Sequence, residues 1–169
     1  MRIERLGLHH KEVLAPLLRA ITVPISEYCF ANLYLFRESH GYEVLSDGDI
    51  FIKGRTYDGF TYLMPTVPAA QLDAARLQEL LRDVDFLFPV PDEWLGAFDP
   101  GTYDISFHEG DADYLYTVEK MSTLAGRKLH KKRNLLKQFV ESYRHEALPL
   151  TTGRLDDARL VLDAWQQES

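Results

Sequence analysis

Cysteine is almost absent: Cys29 is the only one in 169 residues. That excludes an internal disulfide framework and any CxxC metal site. No uninterrupted apolar run is long enough to span a bilayer. The opening stretch "MRIERLGLHHKEVLAPLL" mixes charge into its apolar positions, so it does not read as a secretory signal. A cytoplasmic location is the expectation. Metal patterns are missing as well. His9 and His10 are adjacent and diverge on a helix, His40, His108 and His145 stand alone, and no HxH or HExxH occurs. These histidines read as surface or capping residues, and no metal is expected. No Ser-His-Asp arrangement has local support, and neither Asp111/Asp113 nor Asp156/Asp157 has a partner that defines a general acid/base pair. Cys29, inside an apolar helical run, reads as a core thiol. No linker, repeat or low-complexity tract divides the chain, so one domain over residues 1–169 is expected. Its length allows a sizeable core.

Positive charge is scarce overall and concentrated in one place. The net charge is −7, yet residues 127–144 alone carry +6, which leaves −13 for the remainder. An acidic body with one basic stripe suits a single localised anion site better than broad coating of nucleic acid.

The rest of the chain reads as α+β. "HHKEVLAPLLRA" fits a first helix despite Pro16, and "SEYCFANLYLFRESHG" a second, with Ser26 as N-cap and Gly41 as stop. Asp47-Gly48 and Asp58-Gly59 sit between β-rich runs, so residues 42–65 should form an antiparallel meander. "AAQLDAARLQELLRDV" is a helix by period, with Leu72, Leu77, Leu80 and Leu81 on one side. "DFLFPVP" fits a buried strand, "PDEWLGAF" a short helix, and "TYDISFHEG" and "HEALPLT" further strands. "DADYLYTVEKM" fits either strand or short helix. A basic helix over residues 125–143 and a final helix with Asp156 and Asp157 in its first turn complete the pattern.

On a helical wheel started at Arg127, Leu129, Leu135, Leu136, Phe139, Val140 and Tyr143 fall within an arc of about 80° to 220°, the expected buried face. Lys128 and Lys132 fall inside that arc, and Arg133 lies at its edge. A charge facing a core is costly unless paired. Cations at a helix start also oppose the macrodipole, by about 0.3–1 kcal/mol each. A bound anion resolves both conflicts, because exposed N–H groups at a helix start favour phosphate or carboxylate. Equally, the lysine stems can lie along apolar surface with their ammonium groups in water, or pair with carboxylates of the acidic body. A later helix start leaves Lys128 in a loop.

The motif in this stretch, Leu124, Gly126, Arg127, Lys128, His130, Lys131, Lys132, Arg133 and Asn134, resembles the hallmark of the phosphatidylglycerol lysyltransferase C-terminal-domain family. Glu27, Tyr28, Phe30, Asn32, Leu33 and Tyr34 resemble its early segment. The resemblance implies a GNAT-like fold, a mostly antiparallel sheet flanked by helices, related to Fem-type enzymes that move an amino acid from aminoacyl-tRNA to a cell-wall or lipid acceptor. It implies that this chain is the first of two tandem GNAT-like domains and is inactive alone. The pyrophosphate-binding pattern of GNAT acetyltransferases is not met, since "LAGRKLH" has only Gly126, so no acetyl-CoA or other cofactor is expected.

The resulting expectation is transfer of an acyl or aminoacyl group to an amine or hydroxyl. Lys128, Lys132 and Arg133 would bind anionic substrate, with Arg127, Lys131, Asn134 and His130 as further contacts, and no catalytic base is assigned. Aminoacyl-tRNA or an anionic lipid headgroup is the expected partner. The other reading is a non-catalytic module that binds an anion, RNA or a partner domain.

Overall fold

Two glycines with left-handed backbone shape the centre of the computed structural model, which describes residues 1–168. Gly48 (φ 81°) turns β2 (Glu43–Asp47) into β3 (Asp49–Arg55), and Gly59 (φ 97°) lies in the loop that leads to β4 (Thr61–Pro65). The meander expected over residues 42–65 is present, in antiparallel register with Leu45 opposite Phe51 and Ile52 opposite Met64. β1 (Arg2–Arg5) adds antiparallel to β2, and β5 (Phe86–Leu87) adds parallel to β4, so the sheet runs β1-β2-β3-β4-β5. A parallel neighbour needs a crossover, supplied by α4 (Ala74–Leu80) and its flanking turns. Asp85 fastens the return: its Oδ2 accepts from Thr61 N at 2.7 Å and Thr61 Oγ1 at 2.8 Å. Those two bonds hold its carboxyl below the ordinary range.

The backbone divides into two compact units, Met1–Leu115 and a second from Tyr116 onward. In the first, consecutive residues of β3 and β4 are buried, among them Phe51, Ile52, Tyr62, Leu63 and Met64. Side chains alternate across a strand, so apolar partners cover both faces of these strands. α1 (Lys11–Ala20) contributes Leu14 and Leu18, one helical turn apart, and α2 (Phe30–Leu35) contributes Leu33. α4 contributes Leu77 and Leu80, and Asp73 caps it by accepting from Arg76 N at 2.7 Å.

Several expected elements take other forms. The second helix breaks into a 3-10 turn (Ser26–Tyr28), α2, and α3 (Arg37–His40), which ends at left-handed Gly41. Ser26 makes no side-chain cap. Cys29 is extended (φ −122°, ψ 121°), so it points away from its buried neighbours Tyr28 and Phe30; it is exposed, not a core thiol. "TYDISFHEG" and "HEALPLT" form no strand: they find no neighbouring edge, and Phe107 and Leu150 are exposed. The buried strand expected in "DFLFPVP" shortens to the two residues of β5, with Phe86 still partly exposed.

The second unit contains α5 (Val118–Thr123), α6 (His130–Ser142) and α7 (Leu155–Glu168). Its wheel-predicted buried face is corrected by the structure: only Leu129 is buried, while Leu135 is 65% exposed, Phe139 47% and Tyr143 64%.

Gly54 shows how tightly the sheet is filled. A Cβ there would lie 2.6 Å from Tyr62 Cζ and 2.8 Å from Tyr42 Cε1, two buried rings whose hydroxyls are hydrogen-bonded at 3.1 Å. Gly54→Ala should therefore cost about 1–3 kcal/mol in denaturant unfolding through overpacking. Gly96→Ala, where a Cβ meets nothing within 4 Å, should move the midpoint far less; equal effects of the two would refute this account of the packing.

Candidate functional site

The basic motif builds a turn before it builds a helix. α5 is capped by Thr117, whose Oγ1 accepts from Lys120 N at 3.1 Å. It ends at Leu124, which adopts a left-handed conformation (φ 49°, ψ 33°) that is uncommon for a branched residue. Gly126 (φ 96°) follows, and then a 3-10 turn over Arg127–Leu129 leads into α6. The helix thus starts at His130, five residues later than composition indicated, and Lys128 lies ahead of it.

Arg133 holds this turn. Its Nη1 donates to the carbonyl oxygens of Leu124 and of Gly126, the latter at 2.8 Å. One planar guanidinium thereby satisfies two carbonyls that a reversing chain leaves outside any helix. Leu129 is the buried residue of the motif. The spacing of Leu124, Gly126, Leu129 and Arg133 is therefore explained by the turn they build. Arg133 was expected to bind substrate directly; in the structure at least one of its terminal nitrogens is occupied by the backbone.

The other motif residues face outward. Arg127, Lys128, His130, Lys131, Lys132 and Asn134 are exposed. The burial conflict expected for Lys128 and Lys132 is absent, because the helix begins beyond Lys128 and its apolar side is uncovered. The conflict with the helix dipole persists. α6 has no side-chain cap at Leu129 and no acidic residue in its first turn, and no carboxylate occurs between Leu124 and Val140. Among the described residues, Arg127, Lys128, Lys131 and Lys132 form no ion pair, whereas Lys137 meets Glu141 at 3.7 Å. The thirteen residues of α6 continue from the 3-10 turn, whose Arg127 carbonyl already takes the His130 N–H, and the exposed cations at this helical start have no acidic residue in the first turn to neutralise them. Chemically, the arrangement can hold an anion. It contains no carboxylate that could take a proton from a substrate.

Sequence reasoning gave less weight to a second group, in the first unit. Glu27 is half-buried, and burial, reinforced by the charges of Asp113 and Asp111, pushes its carboxyl above the ordinary range. Ser26 Oγ donates to its Oε2 at 3.3 Å, and Ser26 N donates to Asp113 Oδ2 at 2.6 Å. Tyr42 and Tyr62, both buried and both pushed up chiefly by burial, feel the Glu27 charge. The one sequence signal was the early segment beginning at Glu27. Asp113, expected to cap or to be solvated, does cap a turn, one 87 residues away in sequence.

Among the histidines, His10, His40 and His145 bond the backbone, and His10 does so from a buried position where a surface or capping residue was expected. His10 is buried; its Nδ1 accepts from Gly7 N at 3.1 Å, and burial pushes its pKa down. His40 Nδ1 lies 2.7 Å from the Arg55 carbonyl. Among the described residues no cluster of three or more His, Cys, Asp or Glu is arranged to hold a metal ion. No described helix is long and apolar enough to cross a membrane.

Comparison with known proteins adds three findings. The sequence model of the family described as phosphatidylglycerol lysyltransferase, C-terminal, matches residues 19–169. An uncharacterized protein of Mycoplasmoides gallisepticum is 35% identical over 65 residues, 38% of this chain and 20% of that protein, so the match takes in about a fifth of that relative's length. No solved structure matches.

The raised pKa of Glu27 makes stability depend on pH. Between the ordinary carboxylate pKa and the raised one, the folded state holds more proton than the unfolded state, so stability falls as pH rises through that window. Glu27→Gln should therefore raise the melting temperature at pH 7, and the gain should vanish below pH 4. A melting difference independent of pH would show that burial of this charge is not the cause.

Proposed function

The chain belongs to the phosphatidylglycerol lysyltransferase C-terminal family, and from that premise we propose that it is the N-terminal GNAT-like domain of an acyl or aminoacyl transferase. The reaction is transfer of the acyl group to an amine or hydroxyl acceptor. The uncapped, cation-ringed start of α6 is the observation that carries this reading. It holds an anionic part of one substrate, a phosphate of aminoacyl-tRNA or of an anionic lipid headgroup. Lys128 and Lys132 are the principal contacts, with Arg127, Lys131, Asn134 and His130 around them. Arg133 acts as a positioning residue, setting the turn through the carbonyls of Leu124 and Gly126.

This reading requires no general base in the turn. An aminoacyl ester is already a reactive donor, and fixing donor and acceptor at the correct distance accounts for much of the rate in such transfers. A phosphate held at a helix start, by N–H groups and ammonium groups together, is a means of fixing one of them.

The GNAT-like assignment draws on the mostly antiparallel sheet with helices packed on it. The tandem arrangement draws on the family resemblance and on the uncovered apolar side chains of α6 and α7, including Leu136, Val140, Val161 and Leu162. Large apolar side chains left exposed in number mark a place where another body packs. A second GNAT-like domain is the proposed partner there, and a cytoplasmic location belongs to the same proposal.

Lys128→Ala and Lys132→Ala in the intact protein should each reduce aminoacyl transfer by roughly tenfold or more, the worth of one charge-assisted hydrogen bond. Circular dichroism should be unchanged, since both side chains are exposed. Unchanged turnover with weaker binding to tRNA or anionic vesicles would instead make this unit a binding module.

A further inference from the structure

The first unit contains a cleft of about 410 Å³ at the end of the sheet where β1 and β3 finish and β4 begins. Its lining is unusual for this chain. Residues 1–115 carry nine Lys and Arg against nineteen Asp and Glu. Four of the nine cations, Arg5, Arg37, Lys53 and Arg55, line the cleft, against two of the nineteen carboxylates, Glu38 and Glu43. An acidic body has gathered nearly half its cations around one hollow.

The sheet register explains how they meet. Arg5 pairs with Glu43 and Glu43 with Lys53, so the three stand in one row across three strands. Arg55, two residues beyond Lys53, projects from the same face. Two of the four cations are already engaged. Arg37 lies over the Tyr34 ring at 4.0 Å and donates to the Tyr34 carbonyl, and Lys53 Nζ donates to the Asp83 carbonyl at 3.3 Å. Arg5 and Arg55 form no ion pair or side-chain hydrogen bond among the described residues, and both are exposed. Gly41 and Gly54, which also line the cleft, present backbone without side chains. His40 supplies a ring to the wall, and the exposed Tyr57 packs on that ring at 4.8 Å.

We infer that this cleft is a binding site for a phosphate-bearing ligand, contacted by the guanidinium groups of Arg5 and Arg55 with Lys53 behind them. Two free guanidinium forks match the paired oxygens of a phosphate or pyrophosphate better than a point charge does. The cleft is larger than one phosphate, leaving room for the group esterified to it. Glu43, between Arg5 and Lys53, limits affinity and favours an anion of high charge density over a carboxylate. The site lies wholly within the first unit and does not depend on the basic turn before α6, so the two proposals stand or fall separately. A free phosphate and the phosphate of a lipid headgroup present the same chemistry to these guanidinium groups.

The test uses the intact protein with inorganic pyrophosphate, followed by calorimetry at low salt, and vesicles of phosphatidylglycerol or phosphatidylcholine, followed by sedimentation. Arg5→Ala/Arg55→Ala, introduced in a Lys128→Ala/Lys132→Ala background so that the basic turn before α6 does not contribute, should weaken pyrophosphate binding roughly tenfold or more. Loss of phosphatidylglycerol-vesicle binding in the same Arg5/Arg55 variant assigns the phosphate to a headgroup; loss confined to pyrophosphate assigns it to a soluble ligand. If the double variant does not fold, Glu43→Gln decides, and it should tighten pyrophosphate binding. Absence of pyrophosphate and vesicle binding by the parent protein, or binding indifferent to Arg5, Arg55 and Glu43, overturns the inference.

Discussion

The middle of β3, at Phe51 and Ile52, and nearly all of β4 are buried on both faces, and that constraint organises the core between Met1 and Leu115. A strand buried on both faces needs apolar cover twice over. The chain provides it with helices whose contact residues, Leu14, Leu18, Leu33, Leu77 and Leu80, are themselves buried. Burying each such side chain is worth about 1.5–3 kcal/mol, so the two central strands anchor the unit more firmly than any exposed ion pair. The edges are lighter. β5 has two residues and depends on the Asp85–Thr61 clamp to stay in place. Gly54 is where the demand for close packing is most acute, since two tyrosine rings occupy the space a side chain would fill.

What could be read in the sequence follows from how local each signal is. The meander was legible because Asp47-Gly48 and Asp58-Gly59 are two-residue turn signals, and the structure has left-handed glycines at both. α7 and its acidic first turn were legible for the same reason. Alternation misled at "TYDISFHEG". A strand needs a neighbouring edge as well as a pattern, and only tertiary structure supplies the edge. The wheel misled at α6 because it assumed that every apolar arc is covered. Leu135 and Phe139 fulfil the pattern and yet lie open. Glu27 was hard to weigh because its acidic neighbour Asp113 comes from a segment more than eighty residues away.

The motif shows how a sequence signature can mix two kinds of information. Leu124, Gly126, Leu129 and Arg133 build the turn: one takes the left-handed backbone, one the open glycine conformation, one the buried contact, and one binds two carbonyls. Arg127, Lys128, Lys131 and Lys132 do none of this. Among the described residues they make no ion pair, all four are exposed, and they crowd a helix start that disfavours them. Separating the two sets narrows the functional question, because only residues with no structural task need a ligand to explain them.

The same separation applies to charge in the chain as a whole. The two units differ in sign: residues 1–115 are strongly acidic and the remainder is mildly basic. Scattered cations in an acidic body pair with nearby carboxylates, as Arg76 does with Glu79 at 2.6 Å. Arg5 and Arg55 are distinguished within the acidic unit by lining one cleft, as Lys128 and Lys132 are distinguished in the basic one by their place beside a helix start. In both places cations outnumber the carboxylates beside them, and self-repulsion among such groups is relieved most directly by an anion from outside. A cation already matched within the fold, such as Arg37 over Tyr34, offers less to a ligand than one that is unmatched. The unmatched groups are therefore where binding should first be sought.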